Sequence, residues 1–137
     1  MILNQNQSYE SGIIKEKSPV YTPNELANFL KISRRQAYYL CSDSNLFQVI
    51  KLGQRCTRID SRSFEQWFHG SWYALDTPIS VYTPQEIAKI FRVSTHTVYQ
   101  LCEQASQTKV FQVLLVGRAT TRIHRYSFDM WLKKGNV

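Results

Sequence analysis

Three adjacent side chains, Arg34, Arg35 and Gln36, have the chemistry that recognises base edges in double-stranded DNA. Arginine can donate two hydrogen bonds to O6 and N7 of guanine, and glutamine can pair with N6 and N7 of adenine. Farther along the chain, the corresponding positions of a repeated pattern carry hydroxyl, imidazole and amide side chains: Thr95, His96, Thr97 and Gln100. We interpret both segments as candidate readers of DNA sequence.

Other residues flank these two segments at matching distances and are further candidate contacts to DNA. In the first copy of the pattern they are Ser33, Tyr38, Tyr39, Lys51, Gln54, Arg55 and Arg58. In the second copy they are Ser94, Tyr99, Arg118 and Arg122. The cationic members are expected to contact phosphates or an adjacent minor groove, since phosphate contacts fix position and affinity whereas base contacts set specificity.

The sequence contains no set of residues typical of an enzyme. Its three histidines are scattered, and its three cysteines have no metal-ligand spacing. Neither a glycine-rich phosphate loop nor a Gly-x-Ser-x-Gly nucleophile turn occurs. We therefore predict a non-enzymatic protein with no catalytic residue, no metal and no cofactor.

The net charge of the 137-residue chain is +7, and its distribution favours a nucleic-acid partner. Residues 1–19 are neutral, and residues 71–80 carry about −1. Residues 20–70 carry about +3 and residues 81–137 about +5. The excess positive charge therefore belongs to two segments that are expected to fold, which is the distribution expected of a DNA-binding domain.

The chain contains an internal repeat. Val20-Tyr-Thr-Pro-Asn-Glu-Leu-Ala27 recurs as Val81-Tyr-Thr-Pro-Gln-Glu-Ile-Ala88, and about twenty of some fifty aligned positions are identical. The second copy has a three-residue insertion, after which further segments match: Phe47-Gln-Val49 with Phe111-Gln-Val113, Gly53 with Gly117, Thr57-Arg-Ile59 with Thr121-Arg-Ile123, and Ser63-Phe-Glu-Gln-Trp67 with Ser127-Phe-Asp-Met-Trp131. Such similarity predicts two copies of one structural unit.

Two short helices are predicted at the start of each copy. The first begins with a capping box, in which Thr caps the helix, Pro follows and Glu reaches back: Thr22-Pro-Asn-Glu25 and Thr83-Pro-Gln-Glu86. A serine caps the second helix a few residues later, at Ser33 and Ser94. The apolar face of that helix consists of Ala37, Leu40 and Cys41, or of Val98, Leu101 and Cys102. This arrangement is typical of a helix-turn-helix.

A hairpin and a third helix are predicted to complete each copy. Two strands joined at a glycine are expected over 47–52 and 57–59, and again over 111–116 and 121–123. Asp60 or Ser61 is expected to cap the third helix in the first copy. The predicted fold class is α+β and mainly helical, with two tandem winged helix-turn-helix units. We expect the units to pack as an internal pseudo-dimer, because a core of about fifty residues is marginal alone.

The domain organisation follows from the repeat. Residues 1–19, rich in Asn, Gln and Ser, are predicted to be a flexible tail, and residues 71–80 a linker. The winged helix-turn-helix units occupy residues 20–70 and 81–137. No signal peptide or membrane span is recognisable, and the thiols of Cys41 and Cys102 are expected to be buried and free. These features predict a cytoplasmic protein with no membrane partner.

The repeated pattern resembles the excisionase and MerR-like family of winged helix-turn-helix proteins. The motifs that carry the resemblance are Tyr-Thr-Pro-x-Glu-x-Ala, Ile/Val-Ser, Ala/Val-Tyr-x-Leu, the glycine-turned hairpin, Arg-Ile and Ser-Phe-x-x-Trp. They cover residues 20–70 and 81–134. The resemblance implies that the second helix of each copy enters the major groove, and that Arg58 and Arg122 contact the DNA backbone. Two such units in one short chain also resemble TraN-like accessory proteins of conjugative transfer systems in Gram-positive bacteria.

Residues and resemblance together predict a sequence-preferring protein that binds double-stranded DNA and serves a mobile element, in conjugative transfer (type IV secretion), excision or transcriptional repression. A monomer acting as an internal pseudo-dimer is expected to cover an asymmetric site of roughly 15–20 bp. The first copy should supply more of the base-specific energy because it carries the arginines. The alternative is a protein-interaction or scaffold module that binds little DNA, with other proteins of a transfer or recombination complex as its partners.

Overall fold

A computed structural model describes residues 18–43, 45–74, 77–117 and 119–134 of the chain. We call residues 18–74 the first half and residues 77–134 the second half. The first half contains β1 (Val20–Tyr21), α1 (Pro23–Leu30), α2 (Arg34–Asp43), β2 (Val49–Lys51), β3 (Thr57–Asp60) and α3 (Ser61–His69). The second half repeats this order with β4 (Val81–Tyr82), α4 (Pro84–Phe91), α5 (Thr95–Thr108), β5 (Val113–Val116), β6 (Thr120–His124) and α6 (Arg125–Lys133).

The first helix of each half begins and ends as the sequence predicts. The hydroxyl of Thr22 accepts the Glu25 N–H at 3.1 Å, and the Glu25 carboxylate accepts the Thr22 N–H at 2.9 Å. Thr83 and Glu86 repeat this exchange, so both predicted capping boxes are confirmed. The helices end in a left-handed residue, Lys31 with φ 53° and Arg92 with φ 57°. The two helix ends therefore present their last carbonyl groups in the same geometry.

Each predicted hairpin is part of a three-stranded antiparallel sheet. The strand orders are β1-β3-β2 and β4-β6-β5. The extra strand is only two residues long, and it pairs Tyr21 with Ile59 in the first half and Tyr82 with Ile123 in the second. A two-residue strand has no periodicity of its own, which explains why the sequence predicts only two strands. It fixes the start of α1 or α4 against the hairpin.

The two apolar cores differ in their composition. The core of the second half consists of its own residues, among them Ile87, Val98, Phe111, Ile123 and Phe128. The core of the first half, which includes Leu30 and Phe68, also contains three residues of the second half: Val81, Leu114 and Val116. The second half therefore inserts part of its sheet into the core of the first.

Polar contacts extend this junction on both sides of the sheet. Arg122 on β6 donates from Nε to the Leu30 carbonyl at 2.8 Å and from Nη2 to the Lys31 carbonyl at 2.7 Å. The Lys31 ammonium lies 2.9 Å from the Glu86 carboxylate. We call Leu30, Lys31, Phe68 and His69 the helix-end face, and Leu114, Val116, Arg122 and His124 the sheet face. Because these surfaces differ, the junction is heterologous, unlike that of a two-fold dimer.

A buried pair of histidines lies within the junction. His124 accepts the Ser127 N–H through Nδ1 at 3.2 Å and thereby caps α6. Its Nε2 therefore carries the proton and donates to Nδ1 of His69 at 2.7 Å. Burial, followed by the neighbouring His69, lowers the pKa of His124 to about 3. His124 is therefore neutral near pH 7, and its bond to His69 joins the end of α3 to the start of α6.

The cysteines agree with a further expectation. Cys41 and Cys102 are buried free thiols, as predicted, and burial raises the pKa of both, that of Cys102 to about 11. Cys56, at the end of the first hairpin turn, is a half-buried free thiol. Among the described helices, none has both the length and the apolar character required to span a membrane.

Candidate nucleic-acid interface

The second helix of the first half has one buried face and one exposed cationic face. Ala37, Leu40 and Cys41 form the buried face, as predicted. The opposite face carries exposed residues of the kinds that contact DNA: Arg34, Arg35, Tyr38 and Tyr39. The apolar residues fix the rotation of α2 about its axis, and that rotation directs the arginines into solvent.

The two arginines lie beside the tyrosines one turn further along the helix. The Arg35 guanidinium is 5.5 Å from the centre of the Tyr39 ring and donates from Nε and Nη2 to its hydroxyl at 3.3 and 3.2 Å. The Arg34 guanidinium is 5.9 Å from the centre of the Tyr38 ring. Within the described part of the chain, neither guanidinium forms an ion pair with a carboxylate. Both positive charges are therefore available to a nucleic acid.

The side chain of Gln36 takes part in the cap of α2, which was not predicted from the sequence. Its side-chain carbonyl accepts the Ser33 N–H at 2.9 Å, while the Ser33 hydroxyl accepts the Gln36 N–H at 3.0 Å. The side-chain amide also donates to the Thr120 hydroxyl of the second half at 3.3 Å. In this geometry Gln36 closes a capping box at the start of α2, and its expected base-reading role stays a prediction. Ser33 likewise acts as the helix cap.

The hairpin of the first half presents its polar residues to solvent at the turn. Gln54 and Arg55 are exposed, and Lys51 is exposed with its ammonium 3.3 Å from the Thr57 hydroxyl. Arg58 is half-buried on β3, and its Nη1 donates to the Thr57 carbonyl at 2.8 Å. The turn residues are therefore well placed for phosphate contacts, whereas Arg58 lies closer to the body of the protein.

The second helix of the second half is longer and carries no arginine. Its exposed residues include all five predicted DNA contacts of that helix: Thr95, His96, Thr97, Tyr99 and Gln100. Ser94 caps the helix by accepting the Thr97 N–H at 3.2 Å, and the two hydroxyl groups lie 3.1 Å apart. The predicted surface is present in α5, but it offers hydroxyl, imidazole and amide groups in place of guanidinium charge.

Arg122 is a predicted DNA contact, but in the structure its side chain binds other parts of the chain. All three of its side-chain nitrogens donate to backbone carbonyls, those of Leu30, Lys31 and Thr121. Burial also lowers the pKa of its guanidinium. These contacts give Arg122 a structural role across the junction, and its expected contact with the DNA backbone stays a prediction. Arg118, the other predicted cation of this hairpin, lies outside the described residues.

The outer strands of the two hairpins show why the junction could not be predicted from the sequence. The first copy has Val49-Ile-Lys-Leu52 and the second has Val113-Leu-Leu-Val116. The polarity of the two strands differs only at Lys51 and Leu115, and Leu115 is 67% exposed. The buried residues Leu114 and Val116 have apolar counterparts in the first copy, so the local pattern is the same in a sheet that is covered and in one that is not.

Comparison with known proteins gives one match. Residues 20–70 match a protein-family model described as a helix-turn-helix domain. No curated protein and no solved structure matches the chain. The match covers the first half, in which α1 and α2 form the helix-turn-helix, and it supports DNA binding as the function of this region.

Proposed function

We propose that the chain binds double-stranded DNA with sequence preference, through α2 in the major groove and the first hairpin turn on the backbone. Arg34 and Arg35 act as the base readers, and Lys51, Gln54 and Arg55 contact phosphates or the adjacent minor groove. Tyr38 and Tyr39 lie one turn further along α2 and support the two guanidinium groups. The second half extends the contact through α5.

One observation carries this proposal: Arg34 and Arg35 stand exposed at the start of the second helix of a helix-turn-helix. The N-terminal residues of that helix are the ones that contact base edges in proteins of this kind. Both guanidinium groups lack a carboxylate partner within the described residues. Among the described residues, no ion pair therefore has to be broken before they bind guanine.

The proposed binding site is asymmetric. The halves present different chemistry, with arginines on α2 and Thr95, His96 and Thr97 on α5. They also meet through a heterologous junction, so that no two-fold axis relates the two helices. A single chain therefore covers a non-palindromic site of roughly 15–20 bp.

The biological setting that we propose is a mobile genetic element, in which the protein acts as an accessory or regulatory factor of conjugative transfer, excision or repression. This part rests on the resemblance of both copies to the excisionase and MerR-like pattern. We further propose that the protein acts in the cytoplasm as a non-enzymatic factor without metal or cofactor. The neighbouring genes, either an integrase or a type IV secretion operon, would distinguish transfer from excision.

The test is selection of bound duplexes from a random library, followed by equilibrium binding of the selected sequence at 50 and 200 mM salt. With roughly six to ten phosphate contacts, affinity should fall about 10³–10⁵-fold between those concentrations. Footprinting should show one chain on a non-palindromic site. Failure to bind any duplex at 50 mM salt would refute DNA binding, and an obligate palindrome bound by two chains would refute the asymmetric site.

A second candidate function is a protein-interaction module, and a groove between the halves favours it. The groove, of about 1020 Å³, lies between α2 and the second hairpin, and its lining includes Tyr39, Leu46 and Leu115. These three side chains are 60%, 45% and 67% exposed. An apolar surface of this kind is suited to a protein partner of a transfer or recombination complex. A folded protein that has no affinity for duplex DNA would favour this function over the first.

A further inference from the structure

Each half contains the counterpart of the surface that the other half uses at the junction. Alignment of the copies gives the first half an unused sheet face: Ile50, Leu52, Arg58 and Asp60. It gives the second half an unused helix-end face: Phe91, Arg92, Leu132 and Lys133. A heterologous junction leaves one free copy of each surface in every chain.

We propose that a second copy of this chain docks on these unused faces, so that chains join head to tail. The sheet face of the first half of one chain meets the helix-end face of the second half of the next. The intermolecular contact repeats the contact that already joins the two halves within one chain. This inference does not depend on DNA binding.

The burial of aligned residues supports the proposal on the sheet side. Leu114 and Val116 are 2% and 4% exposed because they belong to the core cluster of the first half. Their counterparts are apolar as well, yet Ile50 is only half-buried and Leu52 is 63% exposed. The first sheet therefore presents the same kind of apolar surface without a covering element among the described residues.

Arg58 is oriented for the same contact that Arg122 makes. Its Nη1 donates to the Thr57 carbonyl at 2.8 Å, as Nη1 of Arg122 donates to the Thr121 carbonyl at 2.8 Å. In Arg122, Nε and Nη2 reach carbonyls of the first half. In Arg58, the same two nitrogens have no hydrogen-bond partner within the described ranges. Arg58 therefore presents two oriented donors outward.

The helix-end face of the second half offers the matching acceptors. Arg92 has φ 57° and ψ 49°, and Lys31 has φ 53° and ψ 49°. The same backbone angles orient the carbonyls of Phe91 and Arg92 at the end of α4 as they orient those of Leu30 and Lys31, which Arg122 binds. The last carbonyls of a helix lack internal partners and carry partial negative charge, which favours an arginine donor.

The charges of the two unused faces are complementary. In the contact between two chains, Arg92 takes the place of Lys31 and Glu25 takes the place of Glu86, so the ion pair Lys31–Glu86 is replaced by a pair between Arg92 of one chain and Glu25 of the other. Glu86 already combines this ion pair with its capping box, so Glu25 can do the same. At the positions of the buried histidines, Lys133 takes the place of His69 and Asp60 takes the place of His124, which gives a second pair of opposite charges. This match on both faces favours a second copy over an unrelated partner.

The experiment blocks one face at a time. Leu52→Asp removes the sheet face of the first half, and Arg92→Glu removes the helix-end face of the second half. Leu115→Asp and Lys89→Glu are the controls. Leu115 is as exposed as Leu52 but lies on the hairpin of the second half, and Lys89 is exposed on α4 outside the unused face. Sedimentation over a concentration series measures the average mass of each protein alone, and of Leu52→Asp mixed with Arg92→Glu, with circular dichroism to verify folding.

The proposal predicts that the mass of the wild type and of both controls rises with concentration beyond that of a dimer. Each blocked variant should remain monomeric at roughly tenfold higher concentration or more, because it loses apolar or charged contacts of the interface. Their equimolar mixture should form a 1:1 dimer that grows no further, since one open face remains on each variant.

Three results would overturn the proposal. The first is a wild type that stays monomeric, or that stops at a dimer. The second is a blocked variant that associates as the wild type does. The third is a monomeric wild type in which Leu52→Asp lowers stability far more than Leu115→Asp, because the sheet would then be covered by residues 1–17 of the same chain.

Discussion

The two halves share one order of elements but have become specialised in different ways. The first half keeps arginines on the exposed face of α2, while the second half uses its sheet to complete the core of the first. At aligned positions, half-buried Arg58 binds only the Thr57 carbonyl among the described residues, whereas Arg122 joins the halves. The two copies of one unit therefore supply different parts of the molecule, an exposed cationic helix in the first half and a sheet that supports it in the second.

The same comparison explains why two cores of about fifty residues can be stable together. A unit of that size buries too little apolar surface for a robust core of its own. Insertion of Leu114 and Val116 enlarges the core of the first half.

Acidification should destabilise the protein through His124. The folded protein holds the pKa of this residue at about 3, below its ordinary 6.5, so the unfolded chain takes up the proton first. Stability is therefore intact above about pH 6.5 and declines as pH falls toward 3, by on the order of 4 kcal/mol. His124→Asn keeps a cap for Ser127 but cannot be protonated. Urea unfolding at pH 7, 5 and 3 should show a smaller loss for the variant, and equal losses would contradict the assignment.

Truncation of aligned apolar residues should affect the halves unequally. Leu114→Ala removes a buried side chain at the junction and should lower the free energy of unfolding by about 2–5 kcal/mol. Its counterpart Ile50→Ala, which is half-buried, should cost about 1 kcal/mol or less at low protein concentration. Denaturant unfolding measures both values, and similar costs would mean that the sheet of the second half does not complete the first core.

The aligned arginines should also separate. Arg122→Ala leaves the carbonyls of Leu30 and Lys31 without their donor and should cost about 2–3 kcal/mol. Arg58→Ala should change stability by less than about 0.5 kcal/mol, because it removes no contact between the halves. Thermal unfolding of the two variants side by side provides the measurement. A large effect of Arg58→Ala in dilute solution would show that its side chain is already bound within the chain.

The capping boxes should behave alike in both halves. Thr22→Ala and Thr83→Ala each remove the hydroxyl that accepts a backbone N–H of the first turn, at 3.1 and 3.2 Å. Each should lower the free energy of unfolding by about 1 kcal/mol. Denaturant unfolding of both variants, with Ser71→Ala as an exposed control, should give matching values. A clear inequality would show that the two helices do not begin in equivalent environments.

Local features of the fold could be predicted from the sequence because their signals are local. Thr22, Pro23 and Glu25 determine the start of a helix within four residues, and Gly117, with φ 73°, marks a turn that other residues rarely adopt. The buried face of α2 also followed from the spacing of Ala37, Leu40 and Cys41. The two-residue strands β1 and β4 could not be predicted, because their pairing is decided by a distant strand.

The candidate site was harder to predict because identical residues have different partners in the two halves. Arg58 and Arg122 occupy the same motif, and only the docking of the second sheet determines that Arg122 binds the end of α1. Gln36 matched the chemistry of adenine recognition but completes a cap. Asp60 and His124 likewise share a position as helix caps, and the histidine forms the additional bond to His69.

The most direct test of the account compares the reading helices on one selected duplex. We expect Arg34→Ala/Arg35→Ala to lose roughly 100-fold or more in affinity for that duplex, since each arginine–guanine pair contributes about 1–3 kcal/mol. The matched double variant Thr95→Ala/His96→Ala should lose roughly tenfold or less, and both should retain the folded spectrum of the wild type. Equal losses in the two variants, or unchanged binding after removal of both arginines, would contradict α2 of the first half as the principal DNA reader.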